Sequence, residues 1–132
     1  MVLLKRILIA SGLVVLTACA AKFDALEYGR VVDIRHTVSV AQQEGVCSDK
    51  LKAKLVADRI YSDARWLMMY SQYLPSNDPA EQMAIGVFNT AAEFSKRYDG
   101  VEPVSKFYCE LKLKALAQQV ETIQKSHGGR PR

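Results

Sequence analysis

The sequence predicts an all-α protein, an up-down bundle of four helices closed by one disulfide. Three observations carry this. Glycine and proline are scarce, 7 and 4 in 132 residues, and they cluster at a few points that cut the chain into long uninterrupted segments. Within each segment apolar residues recur three and four apart, the period of a helix with one buried face. The connections between segments are short, which favours antiparallel neighbours and hence a bundle.

The elements follow in chain order. Lys5 and Arg6 form a positive start, Ile7 to Leu16 an apolar run broken only by Ser11 and Gly12, and Thr17 and Ala18 a small-residue stretch before Cys19. The run is far short of the ~20 residues a spanning helix needs, so it reads as a secretion signal. The order Leu16-Thr17-Ala18-Cys19 resembles the lipobox of bacterial lipoproteins. That resemblance implies a thioether-linked diacylglycerol on Cys19, cleavage just before it, and acylation of the new amino group by a fatty acid such as palmitate. The competing reading is an ordinary signal with an incidental cysteine. In lipoprotein sorting an aspartate after the cysteine favours the inner membrane; here Ala20 follows, which leans toward the outer membrane. The expected organisation is a signal peptide over 1–18, a helical periplasmic domain over 19–127, and a flexible basic tail over 128–132. Several acyl chains, at roughly 0.8 kcal/mol per buried methylene, would hold such a protein on its membrane.

The first helix is expected from about Phe23 to Glu44, with Val31, Ile34, Val38 and Ala41 on one face. Gly45 suits the left-handed position after its end. The second runs from about Asp49 to Leu74, with Ser48 as its cap and Asp49 in its first turn. It carries two stripes: Val56, Ile60, Leu67, Ser71 and Leu74, and Trp66, Met69, Tyr70 and Tyr73. A helix apolar on two sides packs on both or offers one to a partner. The third opens with Asp78-Pro79-Ala80-Glu81, read as cap, first helical residue and capping box. Met83, Val87, Ala91, Phe94 and Tyr98 line its face, and Gly100 ends it. The fourth starts near Pro103, with stripes of Val104, Phe107, Leu111 and Ala115 and of Cys109, Leu113, Leu116, Val120 and Ile123. It is expected to fray near His127.

With Cys19 assigned to lipid, Cys47 and Cys109 remain as an even pair in an exported chain. An oxidising compartment makes a disulfide the default. A metal site is the rival, but two thiols with no partnering histidine make a poor zinc site. In an up-down bundle Cys47, between the first two helices, lies at the same end as the start of the fourth helix. Cys109 then sits only about 9 Å into that helix, so the pair can bond without strain. Cys19 falls at the opposite end.

The search for chemistry is short. No metalloprotease, serine-hydrolase or phosphate-loop motif occurs. Asp33 and His36 could orient an imidazole, but read more simply as a surface pair. Asp58 and Asp63 are not at neighbour spacing on their helix. No cofactor or metal is expected, the charge distribution gives no nucleic-acid footprint, and the protein is expected not to be an enzyme. The run Arg65–Leu74 is the densest in Met and aromatics. Such residues are core material or an adaptable peptide-binding face; Trp66, Met69, Tyr70 and Tyr73 are the candidate partner-binding residues.

The plan of lipobox, small four-helix domain and disulfide reaching the last helix resembles the small helical pilotins of type II secretion. That resemblance implies an outer-membrane-anchored, non-enzymatic adaptor that binds a segment of a secretin. It carries no binding residue over to this chain beyond the framework of Cys19, Cys47 and Cys109. The segment Phe107–Lys112 and the Arg-Pro-Arg end also resemble small phage-encoded lipoproteins, which implies the alternative of a role in host lysis or superinfection exclusion. Either role works by contact with an envelope protein.

Overall fold

The computed structural model describes residues 21–132, so the expected signal peptide, residues 1–18, and Cys19 lie outside the described residues. Among the described residues the chain forms four α-helices and no strand: α1 (Ala25–Gln43), α2 (Lys50–Tyr73), α3 (Asp78–Arg97) and α4 (Lys106–Gly128). A 3-10 turn, Val46–Ser48, lies between α1 and α2. Each helix packs on its neighbours in the chain, and α1 also packs on α4. This is the up-down square that short connections dictate.

Local chemistry sets the helix ends. Asp24 caps α1 by accepting from the Glu27 amide at 2.8 Å. Gly45 takes φ 61°, a left-handed conformation open to it because it has no Cβ. Asp49, not Ser48, caps α2, accepting from the amides of Leu51 and Lys52 at 3.1 and 3.2 Å. Asp78 is the first residue of α3 and not its cap. Asn77 occupies the cap position, and its side chain makes no capping bond because it turns into the protein. Ser105 caps α4 through the Tyr108 amide at 3.0 Å.

The expected faces of α1 and α3 and the second expected stripe of α4 form the core, with Met83 of α3 half-buried against it. Val31, Ile34, Val38 and Ala41 meet Val87, Ala91, Phe94 and Tyr98, and Leu113, Leu116, Val120 and Ile123. Helix α2 differs from expectation. Its buried residues are Ala53, Ala57, Ile60, Ala64, Leu67 and Ser71, while Val56 and Leu74 are only half-buried. Alanine carries little weight in an apolar pattern, yet it lets helices approach closely. Ala80, Ala84 and Ala91 do the same on α3. Enlarging this seam should therefore be costly: Ala57→Leu, at a site with 0% exposure, is expected to lose ~1–3 kcal/mol by overpacking, measured by urea unfolding. Unchanged stability would show that the seam has slack.

The first stripe expected on α4 is also corrected. Phe107 and Leu111 are 72% and 51% exposed, because a helix at the corner of a square buries one face and these two point away from it. Cys47 and Cys109 form the disulfide, with Cα atoms 5.6 Å apart. It closes the end of the bundle where α1 joins α2 and α4 begins.

Candidate functional site

Two regions stand out: the outer side of α2 and the opposite end from the disulfide. On α2, the residues expected to bind a partner do come to the surface, but not as one stripe. Trp66 and Tyr70 are half-buried and lean toward α1. Their rings stack with centroids 4.8 Å apart and planes 13° from parallel. The Arg30 guanidinium lies 4.5 Å from the Trp66 ring centroid and bonds Asp63 at 3.0 Å. The Tyr70 hydroxyl donates to Asp24 at 3.1 Å. The contacts from Arg30 of α1 and from its cap Asp24 thus fix both rings, which reduces the entropy a contact with them would cost.

Met69 and Tyr73 face outward from the bundle, Tyr73 being 85% exposed. Leu67 and Ser71, each two residues before one of them, are buried. The Arg65–Leu74 run therefore divides by helical phase into core and surface. Further along the α1–α2 seam is an open groove of about 340 Å³ lined in part by Val40, Ala41, Leu55 and Val56, with His36 and Arg59 at its rim. Asp33 and His36 are both exposed. Asp58 is held by Ser95 at 2.6 Å and Lys54 at 2.9 Å, and Asp63 by Arg30, so neither serves the other.

The other region was not visible in the sequence. Glu27, on the first turn of α1, is fully buried. One oxygen accepts from Ser71 Oγ and Asn77 Nδ2, both at 2.8 Å. The other accepts from Arg130 Nη1 at 2.9 Å. His127 Nε2 also lies 2.9 Å from that oxygen, off the axis of an aligned hydrogen bond, while its Nδ1 has no partner in the protein. Burial by itself pushes the Glu27 carboxyl up, but the contacts from His127, Asn77 and Ser71 and the charge of His127 outweigh it and hold it down at about 2.

This knot overturns two expectations. His127 is buried at the inner face of α4, which continues through Gly128 and does not fray before it. The residues after it lie along the start of α1 where a free basic tail was expected: the Phe23 amide donates to the Pro131 carbonyl at 2.9 Å, and the Arg132 guanidinium sits 4.5 Å from the Phe23 ring centroid. A lone glutamate on an apolar helix face was the only signal, since all its partners are distant in sequence.

Among the described residues no cluster of three or more His, Cys, Asp or Glu side chains could hold a metal ion, and no helix is long and apolar enough to cross a membrane. The Glu27 carboxylate of the buried knot already has partners on both oxygens, whereas Arg59 and Arg65 on α2 are in no ion pair with any described residue. No protein-family model, curated protein or solved structure matches the chain, so the functional reading of the α2 face rests on its own geometry.

Proposed function

We propose that this chain is a lipid-anchored protein of the bacterial envelope, tethered through Cys19 to the periplasmic face of the outer membrane. In this reading its helical domain is a non-enzymatic adaptor, comparable in plan to a pilotin, that holds a protein partner on α2. The supporting observation is the aromatic pair Trp66 and Tyr70, braced from α1 by Arg30 and Asp24 and continued outward by Met69 and Tyr73. Rigid aromatic side chains beside an arginine are the composition of binding hot spots. Neither ring belongs to the buried core or to the side chains packed against it, so holding them at the surface is not needed to fill it.

The test uses protein extracted from membranes. The mature wild type should begin at Cys19 with added acyl mass; an unmodified N-terminus or release into the soluble fraction would remove the anchor from the proposal. Trp66→Ala should abolish co-purification of an envelope partner while costing the fold no more than ~1–2 kcal/mol, the worth of one aromatic stack and one cation–π contact. Phe107→Ala, at an exposed apolar site on α4, should leave capture intact. If both variants bind as the wild type does, the α2 face is not the contact.

A further inference from the structure

The α2 face also carries information about what kind of partner would fit it. Its outward residues run in one line along the helix. Leu51 and Leu55, 66% and 61% exposed, lie at the disulfide end; Met69 and Tyr73 lie at the other. At 1.5 Å per residue the two apolar pairs are separated by about 21 Å. The stretch between them is polar, and the charges on it that have no ion-pair partner among the described residues are both positive. Ser62 sits at the midpoint, with Arg59 three residues before it and Arg65 three after, both exposed and neither in an ion pair with any described residue. The acids of this stretch are already taken: Asp58 by Lys54 and Asp63 by Arg30.

We infer that the α2 face receives an amphipathic helical segment of a partner protein that is apolar at both ends and acidic at its centre. The inference rests on α2 being the adaptor surface. Its apolar ends would cover Leu51 with Leu55 and Met69 with Tyr73, and its central carboxylates would meet Arg59 and Arg65. Two other occupants fit less well. A second copy of the chain would bring Arg59 and Arg65 against the same arginines, whether the helices ran parallel or antiparallel. An anionic bilayer would need a continuous apolar band, which the middle of α2 interrupts, and a broad flat contact would press exposed Asp33 of α1, Glu44 just after α1 and Asp99 after α3 toward the headgroups. A helix, about 10 Å wide, can lie on α2 without meeting them.

The chain has a single tryptophan, and Trp66 borders this face, so its fluorescence reports occupancy directly. The full chain, disulfide intact in detergent micelles, is titrated with a synthetic helical peptide carrying leucine pairs at its ends and glutamates at its centre. Matched peptides carry glutamine or lysine at the centre, and vesicles of phosphatidylcholine with phosphatidylglycerol form a separate arm. The glutamate peptide should bind about tenfold more tightly than the glutamine peptide, the effect of two partly exposed charge contacts. The double variant Arg59→Glu/Arg65→Glu should reverse the order and favour the lysine peptide. Equal binding of the glutamate and glutamine peptides would overturn the acidic specificity and leave the adaptor surface standing. Binding to vesicles but to no peptide would make α2 a membrane-contact face. Binding to none of the probes would overturn both the inference and the adaptor reading beneath it.

Discussion

Replacing Glu27 by alanine should destabilise the domain by about 3–5 kcal/mol, the usual cost of removing one member of a buried charge cluster. The loss has three sources. Ser71 Oγ and Asn77 Nδ2, both buried, lose an acceptor at 2.8 Å, and an unsatisfied buried donor costs about 1–3 kcal/mol. Arg130 loses the contact that holds the end of the chain against α1. His127, 2% exposed, keeps its place in the core without the carboxylate beside it. Glu27→Gln separates charge from shape, because the amide fills the same volume without the charge. The pH dependence follows from the depressed carboxyl. A group whose pKa falls from 4.5 when unfolded to about 2 when folded stabilises the native state fully above 4.5 and loses that contribution as pH falls toward 2. Its size is roughly 3 kcal/mol. His127 of α4 and Arg130 of the segment after it are the basic side chains facing it. Other carboxylates titrate in the same window, so the informative quantity is the difference between wild type and Glu27→Gln in urea unfolding, followed from pH 6 to pH 2.5. That difference should shrink steadily below pH 4.5. A constant difference would mean that Glu27 does not carry the charge assigned to it.

The local elements were legible because each is written in neighbouring residues. The periodicity of Val31 to Ala41 and of Leu113 to Ile123, the left-handed Gly45 and the pairing of Cys47 with Cys109 all follow from short-range pattern or simple topology. The errors arose where two residues compete for one role or where a partner is far away. Ser48 and Asp49 both suit a cap, and the 3-10 turn consumes Ser48. Asn77 is masked beside Asp78 because its side chain is drawn inward by Glu27, fifty positions earlier in the chain. The α2 core is hidden in the sequence because Ala53, Ala57 and Ala64 carry little weight in an apolar pattern, and their burial depends on a neighbouring helix that is also rich in buried alanine. Trp66, Met69, Tyr70 and Tyr73 were legible as a group, but only the phase of α2 against its neighbours separates the rings braced on α1 from the side chains that face outward.

The two ends of the bundle are closed by different chemistry, and the sequence disclosed only one of them. At one end a covalent bond joins the α1–α2 connection to α4. At the other, a buried carboxylate gathers α1, α2, the α2–α3 loop, α4 and the end of the chain. Between them, half or more of the residues that α2 and α3 bury are alanines, which bury less apolar surface per residue than leucine or isoleucine. A domain with a modest seam relies more on what fastens its ends.

Removing the disulfide, as Cys47→Ser with Cys109→Ala, should therefore cost about 4 kcal/mol, the chain-entropy effect of releasing a loop closed across a long stretch of sequence. The cysteines are 62 residues apart, and the bond spans α2 and α3 entirely, so its absence lets the unfolded chain expand over half the domain. Serine suits half-exposed Cys47. Alanine suits Cys109, which is 1% exposed, where a hydroxyl would be left without a partner. In a domain of this size the loss should lower the melting temperature by on the order of 15 °C. Below the new transition the far-ultraviolet circular dichroism should match that of the wild type, because Ile34, Ile60, Phe94 and Leu116 still supply one continuous core. Two results would contradict this account. Unchanged stability would mean that the bond constrains nothing the unfolded chain would otherwise explore. Loss of helicity at low temperature would mean that the alanine seam cannot hold α2 and α3 together without the bond, and that the hydrophobic core alone does not specify the bundle.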